Sequence, residues 1–128
     1  MSRCVLDASA ILAILLEEPG CEAIPADVLA ESVASTVNLA EVHTKLVSRG
    51  GPPEQAWADA LSAVRKSIPF DEEQARLTGS LAAKTQPLGL SLGDRACLAL
   101  GMTLQLPIYT ADKSWKKLHL GISVHVIR

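Results

Sequence analysis

The sequence predicts an α/β/α sandwich, in which helices cover both faces of a central, mostly parallel sheet. Short apolar segments of strand length alternate with longer segments of helical periodicity, and the connections between them are short. Apolar residues make up 48% of the chain and aromatic residues only 3%, a composition that favours helices packed on a small sheet. The 128 residues contain no repeat, linker or low-complexity tract, so we expect a single domain over residues 1–128.

The chain begins with a predicted buried strand followed by a helix. A strand is predicted at residues 3–6, of which residues 4–6 are apolar, and a helix at residues 8–17, whose sequence is largely apolar. Asp7 stands between them, where its side chain can cap the helix, and Pro19-Gly20 is a strong signal for the end of the helix.

The next part of the chain predicts a short helical stretch, a brief strand and two longer helices. The helical stretch covers residues 21–31 and the strand residues 32–35. The two helices cover residues 36–48 and 54–66, and the turn that separates them, residues 50–53, has the sequence Gly-Gly-Pro-Pro, the strongest turn signal in the chain.

The C-terminal half continues the alternation of strands and helices. A strand is predicted at residues 67–70 and a helix at residues 71–84, whose acidic first turn suits the helix dipole. Residues 91–104 are apolar on almost every side of a helix, which indicates a central position in the fold. The last predicted elements are a strand at 107–110, one or two helical turns at 113–118 and a strand at 123–127.

Composition also limits the classes of function and the location. The formal net charge is −2 and there is no Lys/Arg block, so a polyanionic partner would have to be held by local basic residues or by bound metal. Three cysteines lie in apolar stretches without a C-x-x-C pair, which indicates reduced core residues. The apolar run at residues 4–16 is too short to span a bilayer, so we expect a soluble, cytoplasmic protein.

Four acidic residues lie within or beside apolar segments, namely Asp7, Glu41, Asp94 and Asp112. Each has a simple structural explanation as a helix cap, and the pairs Asn38/Glu41 and Ser91/Asp94 match a capping box. Strand ends and the helix starts that follow them converge on one edge of a parallel sheet, however, so the four acids can meet in one cleft.

A cleft with four carboxylates requires protonation or bound cations, because like charges repel strongly where water is scarce. Oxygen ligands without a His or Cys pattern favour Mg²⁺ or Mn²⁺ over zinc. The hydroxyls of Ser9 and Thr110 lie two residues from Asp7 and Asp112, where they can orient a carboxylate or a metal-bound water, or serve in turns. Asn38, Glu41, Lys45 and Ser48 form a polar helical stripe that faces either water or the cleft.

The chain resembles the PIN-domain family and, within it, the VapC-type toxin ribonucleases of VapBC toxin–antitoxin pairs. The resemblance extends over nearly the whole chain, and the ordered set of motifs is more specific than any one of them. The motifs are Val5-Leu6-Asp7-Ala8-Ser9-Ala10, Glu17-Glu18-Pro19-Gly20, Ser35-Thr36-Val37-Asn38-Leu39-Ala40-Glu41-Val42, Leu90-Ser91-Leu92-Gly93-Asp94-Arg95 and Tyr109-Thr110-Ala111-Asp112. Two positions depart from the pattern: Ala10, and Gly93, which we expect to loosen the start of its helix.

The resemblance implies a metal-dependent endoribonuclease. Carried over by position, Asp7, Glu41, Asp94 and Asp112 match the acidic quartet that binds Mg²⁺ or Mn²⁺, with Ser9, Asn38 and Thr110 as supporting residues. The resemblance also implies an RNA substrate, a small antitoxin that blocks the active-site groove, and a homodimer or a toxin–antitoxin hetero-oligomer. Candidate contacts to RNA phosphates, each of which can also be an ordinary solvated charge, are Lys45, Arg49, Arg95, Lys113 and Lys116.

Two other functions fit the same residues. Asp7 at a strand end can be the covalent nucleophile of an aspartyl phosphatase, although Ser9 stands where related phosphatases place a second Asp. The acids can also be structural in a non-catalytic module that binds RNA or a partner protein. The helices between residues 8 and 66 are more apolar than a small core requires, which suggests a surface covered by a partner or a second copy.

Overall fold

The computed structural model describes all 128 residues and is built around a five-stranded, all-parallel sheet. The strands are β1 (Cys4–Leu6), β2 (Ser32–Ser35), β3 (Lys66–Ile68), β4 (Ile108–Thr110) and β5 (Val124–Val126). Their order across the sheet is β3-β2-β1-β4-β5, so β1 is the central strand, and every neighbouring pair is parallel. The predicted fold class is therefore confirmed.

Seven α-helices and three short 3₁₀ turns connect the strands. The helices are α1 (Ala8–Leu15), α2 (Ala26–Leu29), α3 (Thr36–Ser48), α4 (Pro53–Ser62), α5 (Glu72–Ser80), α6 (Ala82–Thr85) and α7 (Leu92–Leu104). The 3₁₀ turns are Cys21–Ala23, Gln86–Leu88 and Lys113–Lys117. None of the helices combines the length and the apolar character that a membrane crossing requires.

The core has two layers, one on each face of the sheet. On the first face, Leu6 of β1 packs with apolar residues of α1, α3 and α4. On the second face, Val5 of β1 packs with α7 and with the buried Trp115 of the last 3₁₀ turn. Successive side chains of a strand point to opposite faces, so a central strand that is covered on both sides is apolar throughout, as β1 is.

Two predicted helices are shorter in the structure. The helix predicted at 54–66 ends at Ser62, because Lys66–Ile68 pairs with β2 as the edge strand β3. The helix predicted at 71–84 is divided into α5 and α6 at Leu81, next to Gly79 and Ser80, which have lower helix propensity than their neighbours. Strand pairing decides the first boundary and helix propensity favours the second, and neither is visible in local periodicity.

The strand order creates a cleft at the carboxyl edge of the sheet. The chain passes from β1 to β2 and β3 on one side, and then returns to β4 and β5 on the other side of β1. Connections that leave neighbouring strands in opposite directions open a crevice outside their carboxyl ends. Asp7 directly follows β1 and Asp112 lies two residues after β4, so the topology places both acids at this crevice.

Candidate active site

An open cavity of about 600 Å³ lies at the carboxyl edge of the sheet. Its walls come from α1, α3, the start of α7 and the segment after β4. The residues that line it include the four acids of the sequence analysis, Asp7, Glu41, Asp94 and Asp112. The structure therefore brings together four carboxylates that are far apart in the chain.

Asp7 is the most deeply placed of the four, with only 4% of its surface exposed. It caps α1, because its Oδ1 accepts a hydrogen bond of 2.8 Å from the backbone N–H of Ala10. Thr110 at the end of β4 donates its hydroxyl to Oδ2 at 2.6 Å, and Ser9 donates to both carboxylate oxygens at 2.8 and 3.0 Å. Each oxygen thus has one donor of its own and shares the single hydroxyl proton of Ser9, so a further ligand would compete only with this shared contact.

The pKa of Asp7 is raised to about 6, mainly by burial and to a smaller extent by the negative charge of Asp94. The hydrogen bonds from Thr110, Ala10 and Ser9 act in the opposite direction, because they stabilise the charged form. The effect of burial on the pKa of Asp7 is therefore larger than the combined effect of the three hydrogen-bond donors. Near neutral pH the ionised carboxylate carries a free-energy cost that a nearby cation would relieve.

Asp94 and Asp112 each use one oxygen to stabilise the start of a helical turn. In a capping box at α7, Asp94 Oδ2 accepts from the N–H of Ser91 at 2.9 Å, and Ser91 Oγ accepts from the N–H of Asp94 at 3.1 Å. Asp112 Oδ1 accepts from the N–H and the hydroxyl of Ser114 at 2.9 and 2.8 Å. The other oxygen of each carboxylate, Oδ1 of Asp94 and Oδ2 of Asp112, accepts no hydrogen bond from the protein.

Glu41 on α3 is held by a side-chain contact within its own helix. Asn38 donates Nδ2–H to Glu41 Oε1 at 2.9 Å and also to the carbonyl of Gly93 in α7 at 3.0 Å. The capping box predicted for Asn38 and Glu41 is therefore wrong: Ser35 caps α3, with its Oγ accepting from the N–H of Val37. Partial burial raises the pKa of Glu41, Asn38 opposes this change, and the charge of Asp94 adds to it.

The charges of these acids also act on a residue beneath the cavity. Cys97 is fully buried in α7. Burial raises the pKa of its thiol, and the negative charges of Asp7, Asp94 and Glu41 raise it further. One buried thiol thus lies within range of the charges of three of the four acids, which come from the N-cap of α1, from α3 and from α7.

The donor set suits a hard divalent cation. All four side chains offer carboxylate oxygens, and Glu41 Oε2, Asp94 Oδ1 and Asp112 Oδ2 are not used by the protein. As the side chains stand, no three Asp, Glu, His or Cys residues are close enough to complete a set of metal ligands. A fit to a cation therefore requires side-chain adjustment, chiefly at Asp94 and Asp112, whose free oxygens can turn inward because they accept no hydrogen bond from the protein.

The predicted basic residues are dispersed. Lys45 lies on the polar stripe of α3 and lines the cavity together with Glu41 and Ser48, so this stripe faces the cleft. Arg95 is directed away from it, because its guanidinium donates to the carbonyl of Thr78 in α5 at 2.9 Å. Arg49, Lys113 and Lys116 are exposed and are not among the cavity-lining residues.

The effect predicted for Gly93 from the sequence is wrong. Gly93 does not loosen the start of α7, where the capping box is complete. Instead, a Cβ at this position would collide with the Glu41 carboxylate, so the glycine makes space for an acidic side chain from another helix. A glycine directly before an acid in the first turn of a helix was the only signal available, and its reason lies in tertiary packing.

Comparisons with known proteins point to one family. The family model described as PIN domain matches residues 4–119. No curated protein matches the chain.

Several solved structures share the fold at low sequence identity. VapBC from Salmonella typhimurium, bound to DNA, is 16% identical, with full coverage of both chains and a TM-score of 0.77. VapBC2 from Rickettsia felis, bound to a promoter DNA fragment, is 17% identical over 94% of this chain and 96% of that one, with a TM-score of 0.72. VapC20 from Mycobacterium tuberculosis, described as a sarcin-ricin loop cleaving toxin, is 16% identical over 88% and 92%, with a TM-score of 0.64.

Proposed function

We propose that this chain, which belongs to the PIN domain family, is a Mg²⁺- or Mn²⁺-dependent endoribonuclease and the toxin of a type II toxin–antitoxin pair. The observation that carries the proposal is the convergence of Asp7, Glu41, Asp94 and Asp112 on one open cavity. Three of these acids also cap helical turns, but capping uses only part of their hydrogen-bonding capacity. Capping alone therefore does not account for their arrangement.

The side chains of the cavity suit hydrolysis of a phosphodiester bond. Bound there, a divalent cation would acidify an attacking water and neutralise charge that develops on the phosphate. Asp7 and Asp94 would be its main ligands, with Glu41 and Asp112 completing the shell or holding a second ion. Ser9 and Thr110 fix the Asp7 carboxylate, and Lys45 at the cavity wall is placed to contact a phosphate of the substrate.

An RNA substrate is supported by the likeness to VapC20, which is described as cleaving the sarcin-ricin loop. An aspartyl phosphatase is less consistent with the chain, because Ser9 stands where related phosphatases place a second Asp, and its hydroxyl donates to the Asp7 carboxylate.

Sequencing of RNA ends tests the function. After a short pulse of expression, we expect new RNA ends with the wild-type chain and none with Asp94→Ala. The matched control is Asp71→Ala, because Asp71 also accepts a backbone hydrogen bond at the start of a helix but is exposed and does not line the cavity. Identical ends with wild type and Asp94→Ala, or their loss with Asp71→Ala, would contradict the proposal and favour a non-catalytic binding module.

The partner part of the proposal rests on an apolar surface. Trp57 and Leu61 of α4 and Val47 of α3 are large apolar side chains that are more than a third exposed. One similar solved structure is a toxin–antitoxin complex from Klebsiella pneumoniae, and an antitoxin or a second copy of this chain would cover such a surface. We expect the purified chain to sediment as a dimer or larger species at micromolar concentration. A monomer at all concentrations would contradict the homodimer.

A further inference from the structure

The Glu41 carboxylate occupies the space that a side chain at Gly93 would need. Gly93 is buried in the first turn of α7 and is not among the glycines with positive φ, so its backbone does not require the absence of a side chain. The atoms that an added Cβ would meet are Cδ, Oε1 and Oε2 of Glu41. These atoms form the end of a flexible side chain, so an alanine would displace the carboxylate and leave the backbone of both helices in place.

Asn38 supplies the second constraint on the same carboxylate. Its two N–H groups bond Glu41 Oε1 and the carbonyl of Gly93, and the residue is only 1% exposed. Its Oδ1 is buried without a hydrogen-bond partner. The opposite orientation of the amide would place Oδ1 against two acceptors, so the donors must face Glu41 and Gly93.

The unpaired Oδ1 is informative about the role of Asn38. A buried acceptor without a partner opposes folding, so this amide stabilises the fold less than a fully bonded one would. Its donors nevertheless connect the Glu41 carboxylate on α3 to the backbone of α7. The effect of this arrangement is to fix the Glu41 carboxylate beside Asp94.

We propose that Gly93 and Asn38 are positioning residues, which fix the Glu41 carboxylate in the cavity by leaving space for it and by donating a hydrogen bond to it. The inference rests on the proposed function, because Glu41 has a role there as one of the acids that hold a cation. It extends that function to two uncharged residues that do not line the cavity themselves.

Titration of the protein with Mn²⁺ alone, followed by calorimetry, tests this proposal without any RNA. We expect Gly93→Ala to weaken Mn²⁺ binding by about 10-fold or more, as the loss of supporting contacts at metal sites commonly does. In a Glu41→Gln background, the same substitution should change the affinity by less than about twofold, because residues that act through one another are not additive. Asn38→Ala should likewise weaken Mn²⁺ binding by about 10-fold or more in the wild-type background, and by less than about twofold in the Glu41→Gln background.

Gly79→Ala is the matched control. Gly79 lies in α5 and an added Cβ meets nothing within 4 Å, so this variant shares the gain in helix propensity but should leave Mn²⁺ binding unchanged. Urea unfolding of all variants checks that the fold is retained. If Gly93→Ala does not fold, the Asn38→Ala cycle decides the question alone.

The outcomes separate this inference from the proposed function. If wild type binds Mn²⁺ and Asp7→Asn abolishes binding, but Gly93→Ala and Asn38→Ala bind as wild type does, the positioning inference is wrong and the metal site stands. Equal losses with and without Glu41 would also overturn it, because they would indicate a general structural effect. Absence of Mn²⁺ binding by the wild-type chain would overturn both.

Discussion

Asp7→Asn is expected to reduce metal-dependent RNA cleavage by about 10³-fold, since several kcal/mol of lost charge stabilisation correspond to about tenfold in rate for each 1.4 kcal/mol. The substitution removes the charge of the most buried acid in the cavity. Asparagine is also a good helix N-cap, so the hydrogen bond from Ala10 N–H and the start of α1 should be retained.

Initial rates on a fluorescent RNA that carries a mapped cleavage site, at saturating Mg²⁺, measure this effect. Asp71→Asn is the control, because it changes a capping acid to the same residue at an exposed position outside the cavity. Cleavage by Asp7→Asn within tenfold of wild type would remove Asp7 from the proposed mechanism. A loss of cleavage together with unfolding would instead show that Asp7 is needed for the fold.

The second large effect concerns the free energy of unfolding, which we expect to fall by about 2 kcal/mol in the metal-free protein as pH rises from 4 to 7. The pKa of Asp7 is about 6 in the folded chain against an ordinary 3.8, and each unit corresponds to about 1.4 kcal/mol. Because the folded state binds this proton more tightly, the stabilisation is fully present below about pH 4 and is lost as pH rises through about 6. Glu41, whose pKa is also raised, changes stability in the same direction.

Urea unfolding at pH 4.5 and pH 7.5, with EDTA or with Mn²⁺, measures this dependence. Asp94, Glu41, Asp112 and Lys45 line the same cavity, so wild type is compared with Asp7→Asn, in which those groups are unchanged. We expect the variant to be less sensitive to pH and more stable than metal-free wild type at pH 7.5. Mn²⁺ should stabilise wild type more at pH 7.5 than at pH 4.5. Equal pH dependence of the two proteins would contradict a raised pKa at Asp7.

Much of the fold and the candidate site follows from local sequence. The apolar run before Asp7 and the alternation of strands and helices predict a parallel sheet, and the carboxyl ends of its strands predict that Asp7 and Asp112 lie close to each other. The two explanations considered for these acids are compatible, because one carboxylate oxygen can cap a helix while the other remains free, as in Asp94 and Asp112.

Features that depend on contacts between distant segments could not be predicted in this way. Arg95 follows Asp94 directly and was a candidate phosphate contact, but a helix places neighbouring residues about 100° apart, and Arg95 reaches α5 instead of the cavity. The role of Gly93 depends on the direction of the Glu41 side chain from another helix. Such packing has no periodic signature in the sequence.

The four carboxylates differ in how firmly they are anchored. Asp7 is bonded to Thr110 across two neighbouring strands, and Glu41 is linked to α7 through Asn38. The carboxylates of Asp94 and Asp112, in contrast, accept hydrogen bonds only from Ser91 and Ser114 in their own turns. The backbone beside Asp112 is held, since the N–H groups of Ala111 and Asp112 donate to Ser9 and Thr110, so the freedom lies in the side chain. Adjustment to cations of different radius, or to a second ion, should therefore fall on the side chains of Asp94 and Asp112, while Asp7 and Glu41 serve as the fixed reference points.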